Sequence, residues 1–388
     1  MIKKSLQIKK NREFSLLKGH PWLYSEAVKE MPADLKTGDF VDLFSHKQQW
    51  LATGYVDIDS KILVRTLPLQ QNETIESGIC RLIQSAIALR QSFFVDRQTD
   101  AYRLINGEGD FLPGLIVDRY GEALSMQIYS LGLDALMKTI IDQLKIPGIR
   151  WIYRRNQIRL ARQESSKLVF GQKMPEKIVF SENGLKYSTD LINGQKTGFF
   201  LDQRDNRQMI RTLANGKTFL NICGYTGAFT VAAAAGKAKS SVTVDTAKPA
   251  LAEAEANLSL NGFSTAKHQM VCADMYEFLQ NHRQTYDLVV LDPPSMAKNR
   301  KDSEKAIRAY QKLNICGMKV VKPGGMLFTA SCTSQVSREE FITAVRDAAA
   351  RIGRHARIVQ ETYHAFDHPT SLAHPEGRYL KGLLLRLD

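Results

Sequence analysis

The chain has 388 residues, more than a single hydrophobic core ordinarily holds, so two or three domains are expected. Its 44% hydrophobic and 24% charged residues, with 25 Gly and 12 Pro, exclude disordered, collagen-like and coiled-coil classes, and no apolar run approaches the roughly 18 residues of a membrane span. Lys and Arg outnumber Asp and Glu by 53 to 40, a net charge of +13 that points to a polyanionic partner.

The start, MIKKSLQIKKNREF, is basic but has no apolar stretch behind it, so a cytoplasmic protein without a membrane partner is expected. Residues 1–70 read as short alternating segments, LQIKK, TGDFVDLF, QQWLATGYV and KILVRTL, broken at glycines and turns; this predicts a small β-rich domain or barrel. The polar stretch QQNETIESG marks a boundary. Residues 76–190 then give a helix in IESGICRLIQSAIALRQSFF, strands in GLIVDRYGEALSMQIY, a helix in LGLDALMKTIIDQL and strands in GIRWIYRR and QIRLAR, an α+β module. Within it Arg150, Arg154, Arg155, Arg159 and Arg162 occur in an acid-free stretch with Trp151 and Tyr153. Arginine with aromatics suits phosphates and unpaired bases, so Arg154 and Arg155 are candidate RNA contacts. Next, Asn193-Gly194 separates two short β-like runs and predicts a hairpin there, leading from Gly198 to Arg207. In this hairpin Gln203 and Arg204 are candidate lid contacts to a cofactor or phosphate, the alternative being an exposed polar hairpin.

From residue 208 strand and helix alternate: TFLNI, GAFTVAAAAG, SVTVD, PALAEAEANLSLNG, HQMVCAD, YDLVVLDPP and GGMLFTASC. Regular alternation predicts a parallel, doubly wound sheet with ligands at the carboxyl ends of its strands. The first strand runs into Asn221-Ile222-Cys223-Gly224-Tyr225-Thr226-Gly227, a glycine turn before a helix, and Asp245 follows Gly224 by 21 residues at the next strand end. An acidic group at that distance suits the hydroxyls of an adenosine ribose. The spacing G-x-G-x-x-G is absent, which favours S-adenosylmethionine (SAM) over a nicotinamide dinucleotide. Later strand ends carry Asp274, suited to an adenine amino group, then Asp292-Pro293-Pro294, then Cys332.

These residues resemble the PUA-domain-containing RNA methyltransferases that make 5-methylcytosine in large-subunit ribosomal RNA. The resemblance rests on GHPWLYSEAV, TGFFLDQRDNR, NICGYTGAF, VTVD, LDPP, TASC, and DHP followed by PEGRYLKG as closing strands. It implies an α/β multidomain protein: an amino-terminal PUA β-barrel over residues 1–70, a middle α+β module over 76–190, and a Rossmann-like class I methyltransferase over 191–388 with a mostly parallel doubly wound sheet. It implies SAM as cofactor, with Gln203, Asn221, Cys223, Gly224, Tyr225, Gly227, Asp245, Asp274, Asp292 and Pro293 around it, and large-subunit ribosomal RNA as partner.

Cytosine C5 becomes nucleophilic only after a nucleophile adds at C6, and a cysteine thiolate does this well. The five cysteines, Cys80, Cys223, Cys272, Cys316 and Cys332, include no Cys-x-x-Cys pair, so neither a metal site nor a disulfide framework is expected. Cys332 stands at a strand end and is the candidate nucleophile; Cys223, in the cofactor loop, is its rival, and the other three read as core. Asp292 is placed to hold the cytosine edge. Ser295 follows where enzymes acting on exocyclic amines carry an aromatic residue, which disfavours N-methylation. Lys298, Arg300 and Lys301 are candidates for the phosphates of an extruded nucleotide. A homodimer is compatible with the sequence. Three rivals stay open: a SAM-dependent N-methyltransferase, a catalytically silent ribosomal-RNA-binding assembly factor, and, from the first turn alone, a nicotinamide-dependent oxidoreductase.

Overall fold

A computed structural model describes residues 3–70, 73–96, 98–155, 166–194, 198–297 and 299–388. The chain forms two compact units, one of residues 1–181, 189–201 and 366–377, the other of residues 182–188, 202–365 and 378–388. No helix among the described residues is long and apolar enough to cross a membrane.

The first unit holds two five-stranded sheets. Strands β1 (Lys3–Gln7), β2 (Trp22–Tyr24), β3 (Phe40–Phe44), β4 (Trp50–Val56) and β5 (Ile62–Leu67) lie in the order β1-β3-β4-β5-β2, with the short helix α1 (Phe14–Leu17) between the first two in sequence. Alternate residues such as Leu6, Val41, Leu43, Val56 and Leu63 form its core. Helix α2 (Ile75–Phe93) starts at Thr74, whose side chain accepts from Ser77 N, and buries Ile75, Ile79, Leu82, Ile83 and Ala86 along one face. The second sheet has the order β10-β9-β8-β7-β6, from β6 (Ala101–Asn106), β7 (Leu115–Tyr120), β8 (Ala123–Ile128), β9 (Trp151–Arg155) and β10 (Lys167–Phe170), with helix α3 (Met137–Leu144) between β8 and β9 in sequence.

The two amino-terminal modules expected from sequence share one unit because Phe40, Tyr55 and Leu67 of the first sheet pack in the core of the second. Tyr55 is fully buried and donates its hydroxyl to the Pro113 carbonyl, and Ser130 donates to Asp57 at 2.7 Å. Residues 366–377 join this unit from the far end of the chain. Asp367 accepts from Arg103 N at 2.8 Å, its carbonyl accepts from the buried Arg90 guanidinium at 2.8 Å, and the Pro369 carbonyl accepts from Asn106 at 2.8 Å. The Asp-His-Pro segment is therefore a clip of loop and not a closing strand.

Strands β11 (Ile178–Glu182) and β12 (Leu185–Thr189) pair as a two-stranded sheet. Their link is Asn183-Gly184, with φ of 50° and 76°, the left-handed pair of a type I′ turn. The hairpin thus forms at this Asn-Gly and not at Asn193-Gly194. There the Asp190 carboxylate accepts from Ile192 N and Asn193 N at 2.8 and 2.9 Å, and the Asp190 carbonyl accepts from Gly194 N, making a compact turn.

The second unit is built on a seven-stranded sheet. Helix α4 (Arg204–Leu213) precedes β13 (Thr218–Ile222), followed by α5 (Ala228–Ala235), β14 (Ser240–Asp245), α6 (Lys248–Leu260), β15 (His268–Cys272), α7 (Met275–Asn281), β16 (Tyr286–Leu291), α8 (Ser303–Lys319), β17 (Val321–Ser331), α9 (Arg338–Arg351), β18 (Ala356–Thr362) and β19 (Lys381–Leu387). The order is β15-β14-β13-β16-β17-β19-β18, parallel except for β19, which runs antiparallel to both neighbours. The chain leaves β13 toward one edge and returns to place β16 on its other side. This reversal opens a crevice at the carboxyl ends of β13 and β16, the expected ligand position of such a sheet.

Candidate active site

Backbone conformation shapes the loop after β13. Cys223, Tyr225 and Gly227 all have positive φ, 59°, 46° and 72°. Two non-glycine residues in this region within three positions store strain that surrounding bonds must hold. Asp245 at the end of β14 supplies them: one carboxylate oxygen accepts from Tyr225 N at 2.8 Å, the other from Ala247 N at 2.9 Å. Gly224 is required for approach to protein, since a Cβ there would lie 2.3 Å from the Thr243 side chain and 2.9 Å from Asn221. Asn221 is buried and donates to Thr230, which shares a 2.6 Å hydrogen bond with Thr243. Gly227 begins α5, and a Cβ on it would meet Ala254 Cβ at 2.6 Å. Gly227→Ala is expected to cost about 1–3 kcal/mol, through left-handed strain and overpacking together. Urea denaturation checks this, and a stability unchanged from wild type would contradict it.

The donor set fits SAM. An ionised carboxylate offers about four lone-pair positions; the two backbone amides on Asp245 leave acceptor capacity for ribose hydroxyls. Asp274 caps α7 through one oxygen, accepting from Tyr276 N and Glu277 N at 2.8 and 3.1 Å, so its other oxygen is left for an adenine amino group. Cys223 lies among these acids. Burial pushes its thiol up to about 12, and Asp292, Asp245 and Asp274 add to the effect. Its sulfur is 3.5 Å from Met275 Sδ. A thiol surrounded by three carboxylates stays protonated at neutral pH and is a poor nucleophile.

The second half of the site joins β16 to β17. Asp292 N donates to the Ile222 carbonyl, tying the end of β16 to that of β13. Gln203 donates to Asp292 Oδ1 at 2.9 Å and accepts from Asn206 at 2.5 Å. Gln203 and Arg204 are buried at the start of α4 rather than exposed on a hairpin, because α4 packs them inward. Cys332 is half-buried just past β17, its sulfur 3.9 Å from the carbonyl of the buried Pro293. The next residue binds the loops together: Thr333 Oγ1 accepts from Met296 N at 3.0 Å and shares a 2.7 Å hydrogen bond with Tyr310. Burial pushes the Tyr310 hydroxyl up to about 12.

Asn206, Tyr310, Thr333 and Lys381 were not singled out from sequence. Thr333 has the plainest signal, adjoining Cys332; Lys381 lies in PEGRYLKG, but its partners, the Thr333 and Val336 carbonyls, are more than 40 residues away.

Among the other cysteines, Cys316 is buried in the core, Cys80 is half-buried, and Cys272 is exposed, contrary to expectation, because it ends β15 at the sheet rim. Arg154 and Arg155 do not present an RNA-binding face. Every residue of β9 is buried between β8 and β10; Arg154 pairs with Asp134 at 2.7 Å and Arg155 donates to the Gly194 carbonyl at 2.5 Å. Arg150 is exposed, over the Trp151 ring at 4.5 Å. Arg300 and Lys301 are exposed on a turn before α8, while Arg159, Arg162 and Lys298 lie outside the described residues. In the first unit His20, His374 and Glu376 bring ligand-type atoms within 4.8 Å of one another. Trp22 N donates to His20 Nδ1 at 3.2 Å, His20 Nε2 lies 3.5 Å from the Glu376 carboxylate, and His374 Nε2 lies 3.8 Å from it.

Residues 134–361 match the family of S-adenosylmethionine-dependent methyltransferases, and residues 6–68 match a PUA-like domain. A protein of Tolumonas auensis named Ribosomal RNA large subunit methyltransferase I is 36% identical, covering 98% of this chain and 99% of that one. A solved structure from Streptococcus mutans, described as a SAM-dependent methyltransferase, superposes with a TM-score of 0.85 at 25% identity, over 99% of this chain and 100% of that one. Another methyltransferase structure, complexed with SAH, gives 0.86 at 26% identity with full coverage of both chains. The chain belongs to the S-adenosylmethionine-dependent methyltransferases that carry an amino-terminal PUA-like domain.

Proposed function

We propose that this methyltransferase acts on C5 of a cytosine in large-subunit ribosomal RNA, with Cys332 as nucleophile and Asp292 as the group holding the base edge. The substrate class is supported by relatives named ribosomal RNA large subunit methyltransferase I and by the net charge of +13. The observation that carries the chemistry is that the Asp292-Pro293 loop and Cys332 meet at adjacent strand ends, locked by Thr333.

In this reading Asp245 and Asp274 hold the nucleoside part of SAM, which supplies an electrophilic methyl group. The Cys332 thiolate adds to C6 of cytosine, forming an S–C6 bond and moving the C5=C6 electron pair toward C5. Asp292, fixed by Gln203, accepts from the N4 amino group or, carrying a proton, shares it with N3 as negative charge develops on the ring. The C5 electron pair takes the methyl group as the sulfonium S–CH3 bond breaks and leaves S-adenosylhomocysteine; a base then takes the C5 proton, and the C–H electron pair re-forms the C5=C6 bond and expels the thiolate. Arg300 and Lys301 contact the phosphates of the displaced nucleotide. The test is mass-spectrometric mapping of methylcytosine in ribosomal RNA from cells with and without the protein. One large-subunit 5-methylcytosine is expected to disappear without it; an unchanged map, or loss of an N-methylated base, would reject the substrate assignment.

A further inference from the structure

Lys381 is an uncommon side chain: a lysine with 6% exposure whose ammonium hydrogen bonds run to neutral carbonyls. Buried ammonium groups ordinarily face a carboxylate, since removing the charge from water costs several kcal/mol when it is uncompensated. Here Nζ donates to the Thr333 carbonyl at 2.8 Å and to the Val336 carbonyl at 2.7 Å. It spans the loop from Cys332 to the start of α9. In the sheet Lys381 stands directly opposite Ser331, the residue before Cys332.

The charged and titratable groups facing this corner come from four elements. Cys332 and Glu340 act on Lys381, and both favour its charged form. Glu340 is committed to the α9 capping box, accepting from Ser337 N at 2.7 Å, and Arg300 also acts on it. Tyr310 and Asp292 also face this corner, and the Tyr310 hydroxyl is influenced by both the cysteine and the aspartate. An Asp292 carboxylate near Cys332 opposes formation of a thiolate there. A nearby ammonium offsets that repulsion. Burial holds the Lys381 ammonium down to about 8, so a negative partner strengthens its charged state as much as it strengthens the partner's.

We propose that Lys381 is a positioning residue for Cys332: its buried ammonium fixes the loop after the cysteine through the Thr333 and Val336 carbonyls and supplies the positive charge against which the Cys332 thiolate forms. This rests on the reading of Cys332 as nucleophile. It adds a residue that touches neither RNA nor SAM.

The test is the pH dependence of iodoacetamide alkylation at Cys332 in the full-length protein without RNA, followed by peptide mass spectrometry. In wild type the apparent thiol pKa is expected below the ordinary value of about 8.5. Lys381→Gln and Lys381→Met are expected to raise it by about one unit and slow single-turnover methylation by roughly 10- to 100-fold. Lys381→Arg should stay within a few-fold of wild type on both measures. SAM affinity should be unchanged in all three, as a misfolded variant would not show. A wild-type Cys332 that alkylates with an ordinary or higher pKa overturns the proposal, even if the neutral variants fail to fold. So does an unchanged alkylation profile in folded Lys381→Gln. Loss of the nucleophile reading is separate: Cys332→Ala would then retain methylation whatever the alkylation profile of wild type.

Discussion

Cys332→Ala is expected to fold, to bind SAM as wild type does, and to methylate RNA slower by on the order of 10⁴-fold, the scale on which loss of a covalent nucleophile is felt. The alanine removes a half-buried sulfur that approaches the Pro293 carbonyl at 3.9 Å. Thr333 keeps its bonds to Met296 and Tyr310, and with them the shape of the loop. Cys223→Ala is the control. Its thiol is held protonated by burial and three carboxylates, and its replacement should leave the chemical step within a few-fold of wild type. Single-turnover rates with SAM binding measured by calorimetry separate the two variants. Equal losses in both would mean that the sulfur atoms act through packing and not through bond formation.

The second large effect is expected at Asp245. Its carboxylate holds Tyr225 N and Ala247 N, and so holds the left-handed backbone of the loop, and in the proposed site its remaining lone pairs take the ribose hydroxyls. Hydrogen bonds to a charged group contribute about 1.5–3 kcal/mol each. Asp245→Ala is therefore expected to weaken SAM binding by roughly 10²-fold or more, at about 1.4 kcal/mol per factor of ten. Stability without SAM should fall as well, by about 1–3 kcal/mol, because two half-buried loop amides lose their acceptor. Asp245→Asn keeps one acceptor oxygen and should lose less of both. Calorimetry with denaturant titration measures the two quantities, and full SAM affinity in Asp245→Ala would remove Asp245 from the cofactor site.

The doubly wound sheet was legible because strand-helix alternation and the glycines at strand ends are local signals. The strand-end positions of Asp245, Asp292 and Cys332 were legible too, because each follows from the strand before it. What depended on distant packing was hidden. Two Asn-Gly pairs occur within 12 residues, and both satisfy the turn rule; only Asn183-Gly184 lies between runs of matched length, IVFSE and LKYST, while the Asp190 carboxylate captures the amides near the other. The Arg154-Arg155 pair reads as an RNA contact in sequence because nothing local shows that β9 is an interior strand, or that Asp134, 20 residues upstream, meets Arg154. Gln203 was placed near the cofactor in sequence, but its bonding to Asp292 crosses 89 residues and appears only in the fold. The loop-clip role of Asp367 was invisible for the same reason: its partners Arg90 and Arg103 lie more than 260 residues earlier.

The covalent step is open to direct capture. A fluorine at C5 cannot leave as a proton does, so a large-subunit ribosomal RNA fragment with 5-fluorocytidine at the target position should arrest the reaction after methyl transfer. Incubated with SAM and the full-length protein, it is predicted to give a denaturation-stable protein–RNA adduct whose cross-linked peptide contains Cys332, and no adduct with Cys332→Ala. An adduct mapped to Cys223, or methylation of the unmodified RNA with no adduct on the fluorinated one, would contradict the mechanism.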